Sequence, residues 1–396
     1  MLEVRGIGLG LAFLKPFINF IHDKAPEVLT IPPKRDCLPG AVIYCEGHFA
    51  GLDGKTAHGL VRFCEAFKIR AVIDRESSGV DAGLLLDGLN SGIPIVADLQ
   101  EALALPGPRV STMIYGMAPA DGLFSSNDRA ALLSAMAAGL NLVSGMREFL
   151  SDDHQFAAVA RQHQVHIRDV RRPPALKDLR LFSGNIFNVP CLRIAVLGTD
   201  GAIGKRTTAT LLVQALKSSG IHAALVCTGQ TGLIQGGRYG MPLDAIPSQF
   251  CSGEVEAAVV EAYEAERPKV IVIEGQGALS HPAYLSSSFI LRGSQPQGVI
   301  LQHAPARRHL SDFPFMAMPT PASEIGLIEA FSPTRVIGLT INHEGMDARE
   351  LRASIALHQS ELAIPVTDAV SGPSQALVDM VVQAFPALGP AVRQVL

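Results

Sequence analysis

Leu192–Thr208 reads LRIAVLGTDGAIGKRTT. Ile194, Ala195, Val196 and Leu197 form a β-branched apolar run, the pattern of a strand buried on both faces of a parallel sheet. A glycine-rich turn follows: Gly198, Thr199, Asp200, Gly201, Ala202, Ile203 and Gly204. Lys205, Arg206, Thr207 and Thr208 then lead into a helical stretch, Ala209–Ser218. Strand, glycine loop, lysine and helix in this order make a phosphate cradle. Backbone N–H groups converge on an anion, the helix start adds its positive end, and Lys205 adds a point charge. The Thr207 hydroxyl is placed to ligate Mg2+. The phosphates of ATP, of GTP and of coenzyme A all suit such a loop.

The spacing differs from the Walker A pattern, which has four residues between its first glycine and Gly-Lys. Here five residues separate Gly198 from Gly204, and Arg206 stands between Lys205 and Thr207. The Gly-Thr-Asp opening and the six-residue offset resemble the loop of dethiobiotin synthetase and its relatives.

At 396 residues the chain is expected to form two domains. It is 48% hydrophobic and 18% charged, with 37 Gly, which suits an α/β protein rich in turns. A net charge of −4 without a basic run argues against a nucleic-acid partner. The six cysteines lack a CxxC and read as reduced residues of a cytoplasmic protein. Gly6–Ile21 is apolar but interrupted by Lys15 and Pro16, too short for an integral membrane span. Residues 1–36 are read as an extension that packs on the body or on another subunit, and a homo-oligomer is expected.

Residues 37–180 alternate strand and helix. Strands are expected at 41–45, 69–73, 94–97, 110–115, 140–144 and 165–170, with a helix at Asn127–Gly139 that Asn127 is able to cap. This is a Rossmann-like pattern. Glycines 47, 51 and 54 do not form G-x-G-x-x-G, so a domain without a dinucleotide is preferred, although Asp74 stands where a ribose-binding acid would. Glu46, Asp74 and Ser144–Glu148 fall at carboxyl ends of strands, where ligands bind. Arg171-Arg172-Pro173-Pro174 reads as the boundary, since residues before proline are held extended.

Residues 181–396 repeat the alternation around the phosphate loop. The fold class is therefore α/β, with two doubly wound domains: a Rossmann-like sheet and a P-loop NTPase-like sheet. Val270–Ile273 is a wholly apolar strand ending in Glu274. An acid there commonly holds Mg2+ in phosphate-loop proteins, so Glu274 and Thr207 are the candidate metal ligands. His281 reads equally as a proton shuttle or a loop histidine. Arg307 and Arg308 read equally as an anion contact or as a solvated loop.

Several motifs together resemble the D-glutamate N-acetyltransferase family. They include Ile43–Gly47, Leu52–Leu60, Val143-Ser144-Gly145, Phe149–Asp153, Gly198-Thr199-Asp200, Thr228–Gly232 and Glu274–Gly277. The resemblance runs from about residue 40 to the end. It departs at Gly201, where the family usually has cysteine or serine, and at Arg206, where a smaller or apolar residue is usual. It implies a Rossmann-like domain joined to a phosphate-loop domain, and acetyl-CoA-dependent acylation of the amine of D-glutamate or a related acidic amino acid. On that reading residues 198–208 hold the coenzyme phosphates. Glu274, His281 and Lys205 are candidate catalytic residues, Glu274 or His281 as base. Lys55 and Arg147 suit substrate carboxylates. Glu46, Ser144, Gln230 and Thr231 complete the expected substrate site. Kinship with dethiobiotin synthetase implies that Asn342 reads an adenine base. Two alternatives share these residues: an ATP/Mg2+-dependent ligase or kinase acting on a small carboxylate, and a nucleotide-gated binding protein.

Overall fold

The apolar runs become strands of two parallel sheets. The computed structural model describes residues 38–119 and 121–388. The expectations for the extension at residues 1–36 lie outside the described residues.

The first sheet contains β1 (Gly40–Tyr44), β2 (Lys68–Ile73), β3 (Ile95–Val96), β4 (Val110–Tyr115), β5 (Asn141–Ser144) and β6 (Ile167–Asp169). They pair in parallel in the order β3-β2-β1-β4-β5-β6. That order is the Rossmann order, with its reversal between β1 and β4. Every residue of β1 is buried, as a central strand covered on both faces requires. The following helix, Lys55–Arg62, ends at Phe63. Asn127 does not cap the helix Ser126–Ala137: Ser125 does, in a capping box with Asp128. A box with an acid at the third helical position satisfies two backbone donors, which a lone Asn two residues after Ser125 cannot do.

The second sheet contains β7 (Leu192–Gly198), β8 (Ala223–Cys227), β9 (Tyr239–Gly240), β10 (Val270–Glu274), β11 (Gly298–His303), β12 (Arg335–Ile341) and β13 (Val366–Asp368), in the order β13-β12-β11-β7-β10-β8-β9. β7 is central, flanked by β11 and β10. Its register sets Gly198 beside Gln302 and Val196 beside Glu274. The phosphate loop and Glu274 therefore leave the same edge of the sheet.

The short helix Gln230–Ile234 joins the two layers. Ile234 is fully buried in the core of the first sheet although it belongs to the second. Gln235 accepts from Glu65 N (2.7 Å) and Ala66 N (3.1 Å), and its amide donates to the Gly59 and Phe63 carbonyls. Thr56 and Thr231 meet hydroxyl to hydroxyl at 3.2 Å. These contacts hold the lobes together around the cleft that the helix lines.

Gly275 crosses close behind β7. A Cβ there would lie 2.1 Å from the Val196 carbonyl oxygen, a backbone atom that cannot step aside. Gly275→Ala is expected to destabilise the protein by about 1–3 kcal/mol, measured as a lowered midpoint in urea. An unchanged midpoint would show that β7 and β10 can part at no cost.

Candidate active site

The cleft between the lobes has a volume of about 320 Å³, at the lower end of the ~300–1,000 Å³ of a typical small-molecule site. Residues 201–207 form one wall, with Glu274, Gln230 and Thr231 beside it. Lys55, Arg147, Arg171 and Asp244 face it from across the opening.

The loop is shaped by what its carbonyls and acids bind. Arg307 donates to the carbonyl of Gly201 (3.1 Å) and that of Ala202 (3.0 Å), and to Asp200 Oδ2 (3.3 Å). Glu344 holds the same guanidinium from behind. In a trans peptide the N–H points opposite to its C=O. Tying back two carbonyls therefore turns the N–H groups of Ala202 and Ile203 away from Arg307. Gly204, at φ 99°, lets the chain enter the helix Lys205–Ser218, whose first turn has no side-chain cap. Its N–H groups are thus left for an anion. The Arg307 guanidinium is taken up by the loop and by Glu344 and is not part of the cleft wall, so it braces the loop from behind. Arg307→Ala is expected to raise KM for the phosphate-bearing substrate about tenfold, a misplacement effect, with kcat less affected. Steady-state kinetics reads this, and an unchanged KM would remove the bracing role.

Beneath the loop, Thr199 donates its N–H to the Gln302 carbonyl at 3.1 Å, and its hydroxyl meets His303 Nδ1 at 2.9 Å. Thr208 and Thr340 both donate to Gln302 Oε1. Gly198 leaves no room for a side chain: a Cβ would lie 2.9 Å from Ile203 and Lys205 atoms. Gly198, Thr199, Asp200 and Thr208 therefore build the loop from below, and 201–207 present it to the cleft.

Lys205 is 5% exposed, and burial lowers its pKa to about 7. Its ammonium turns back onto the Asp200 carbonyl. Glu274 is likewise 5% exposed, and burial raises its pKa to about 7. Arg206 is its strongest charge partner, followed by hydrogen bonds from the Thr228 and Gly229 backbone. The Thr228 N–H donates to Glu274 Oε2 at 3.2 Å. Lys55 extends into the cleft, where burial of its ammonium among protein atoms keeps its pKa below the usual lysine range.

Thr207 and Glu274 both line the cleft, with Arg206 and Lys205 among the charge partners of Glu274. Among the described residues no group of three His, Cys, Asp or Glu side chains could hold a metal ion, so a magnesium ion here would rest on a single carboxylate together with substrate phosphates and water.

Other expected site residues lie elsewhere. His281 is 4% exposed and stacked under Tyr284 at 4.3 Å, with Nε2 3.8 Å from Asp200 Oδ1. Its Nδ1 accepts from Ala283 N at 3.2 Å. It supports the loop acid and does not reach the cleft as a shuttle. Glu46 accepts from Arg75 N at 3.2 Å and lines a different pocket, with Tyr44 and Tyr115. Ser144 is buried, its hydroxyl accepting from Met146 N at 3.1 Å. Asp74 accepts from Gly47 N (2.9 Å) and from the Ser77 hydroxyl (3.0 Å), capping its own loop. Asn342 donates to Glu344 at 3.1 Å and is not part of the cleft wall. Arg171, Asp244, Gln302 and the bracing role of Arg307 went unseen, because each works through partners 36 or more positions away or across the lobes.

Residues 180–378 match the domain of unknown function DUF1611, described as its P-loop domain, and residues 75–173 match its Rossmann-like N-terminal domain. The chain belongs to the DUF1611 family. A crystal structure of a DUF1611 family protein from Anabaena variabilis superposes with a TM-score of 0.79 at 31% identity, covering 87% of this chain and 99% of that one. Two relatives are each named D-glutamate N-acetyltransferase. The one from a Pseudoalteromonas species is 29% identical over 237 residues, 58% of this chain and 69% of its own. The one from Tritonibacter scottomollicae is 28% identical over 301 residues, 74% of this chain and 86% of its own. The family resemblance seen in the motifs and the paired Rossmann-like and phosphate-loop sheets are thus both met in DUF1611. Among the described residues no helix is long and apolar enough to cross a membrane.

Proposed function

We propose that the protein is an acetyl-CoA-dependent N-acetyltransferase acting on the amine of D-glutamate or a related acidic amino acid. The observation that carries this reading is the pairing, in one cleft, of an anion cradle with a buried carboxyl whose pKa burial raises. The names of the two relatives point the same way.

Residues 201–207 and Lys205 hold the coenzyme phosphates, the loop by its N–H groups and the lysine by its charge. Lys55 and Arg147 draw in the carboxylates of the acceptor. Glu274 takes one proton from the acceptor ammonium, and a pKa of about 7 suits it to that role near neutral pH. The nitrogen lone pair attacks the thioester carbonyl carbon and the amide C–N bond forms. The C–S bond breaks, and the departing thiolate takes the second nitrogen proton. The proton on Glu274 passes to solvent.

The test is incubation of the purified protein with acetyl-CoA and D-glutamate in EDTA, with product identified by mass. N-acetylglutamate and free coenzyme thiol in equal amounts are expected. Product that forms only with ATP and Mg2+ would move the protein to the ligase class.

A further inference from the structure

The cleft holds an ion pair, Arg171 with Asp244, that the chemistry above does not use. Arg171 lies in the Arg-Arg-Pro-Pro segment between the sheets, and its Nη2 is 3.1 Å from Asp244 Oδ2. Arg147 Nη2 approaches the same oxygen at 3.4 Å. Two guanidiniums thus share one carboxylate oxygen and leave a net positive charge, to which Lys55 adds, with Arg171 and Asp244 among its charge neighbours.

The remaining valences are open. Asp244 Oδ1 and Arg171 Nε are both buried and have no hydrogen-bond partner among the described residues. The side chains are 15% and 12% exposed, so water cannot freely answer them. Both residues line the cleft. A single ligand that answers both must place an anionic acceptor and a cationic donor a few atoms apart. The head group of an α-amino acid does this.

We propose that Arg171 and Asp244 form an α-amino-acid clamp, Arg171 taking the α-carboxylate and Asp244 Oδ1 the ammonium. This rests on reading the cleft as an amine-acetylating site, and it names the acceptor class. Arg147 and Lys55, which line the same cleft, then face a side-chain carboxylate, which selects acidic amino acids. The loop that carries Asp244 is tied to the strand end beside the base: Leu243 N donates to the Thr228 carbonyl at 2.9 Å, and Thr228 N donates to Glu274. Asp244 is a binding and positioning residue, and Glu274 remains the proton acceptor.

Calorimetric titration of the full chain without acetyl donor tests the clamp. The probes are D-glutamate, its α-amide and 2-hydroxyglutarate. Arg171→Ala is expected to weaken D-glutamate about 100-fold and to leave the already weaker α-amide unchanged. Arg171→Lys restores only part of the affinity, because a point charge lacks the planar fork. Asp244→Asn is expected to weaken D-glutamate about tenfold or more and to spare 2-hydroxyglutarate, which has no ammonium. A general loss of packing would move all three probes together. Equal D-glutamate affinity in wild type and Arg171→Ala, or no binding of D-glutamate by the wild type, overturns the clamp. The clamp and the acetyl transfer fail separately. Binding that depends on Arg171 in a protein that transfers no acetyl group keeps the clamp and removes the enzyme assignment. Transfer that is indifferent to Arg171 does the reverse.

Discussion

Glu274→Gln lowers turnover by ~10²–10⁴-fold, the usual contribution of a positioned proton acceptor, and leaves the fold standing. Glutamine keeps the shape and can still accept from Thr228 N, but cannot take a proton. The pH profile separates this role from a structural one. The base works when ionised, so with acetyl-CoA saturating the wild-type rate rises with pH to a plateau above about 7, the pKa to which burial raises Glu274. The variant loses that limb. Stability moves in the opposite sense. Between the ordinary carboxyl range and about pH 7 the folded protein holds a proton that the unfolded chain has released. Unfolding free energy therefore falls as pH rises across that window. The Gln variant should show a flatter dependence in melts from pH 4.5 to 8. A variant with wild-type turnover would remove Glu274 from the chemistry.

Lys205→Ala weakens acetyl-CoA binding on the order of 10²-fold, the worth of a charge-assisted contact made in a buried site. Burial brings the free Lys205 ammonium to a pKa of about 7, so it gives up its proton far more readily than an exposed lysine. A bound phosphate pulls the proton back on. Binding at pH 8 is expected to take up a proton, read as a dependence of calorimetric heat on the buffer's ionisation enthalpy. Affinity is expected to fall as pH rises above about 7. Without ligand the linkage favours high pH. From about 7 to the ordinary lysine range the unfolded chain binds the proton and the folded one does not, so stability rises across that window. An alanine variant with unaltered affinity and unaltered proton uptake would show that the anion sits elsewhere.

Local patterns carried most of the architecture. Runs such as Val270–Ile273 are long enough and apolar enough to name buried parallel strands, and the glycine loop with Lys205 names the edge where the site lies. The short helix Gln230–Ile234 was not legible. Its Gln-Thr-Gly-Leu-Ile sequence is short and carries a helix-weakening glycine, and it is held by Ile234 packing into the other lobe. Glu46 and Ser144 stand at strand ends, as cleft residues should, yet the backbone near them takes up their oxygens. Arg171 was hidden by its prolines, which read as a linker although its side chain turns into the cleft. Position along a strand is a local property. Which of several strand ends shares a cleft depends on how two sheets meet, and that is set by contacts such as Gln235 to Gly59 that no local pattern records.

Isothermal titration of the purified chain with acetyl-CoA in EDTA, and separately with Mg-ATP, tests the central claim most directly. Acetyl-CoA binding that needs no metal and is lost in Lys205→Ala is the predicted result. Binding of Mg-ATP alone, with none of acetyl-CoA, would contradict it.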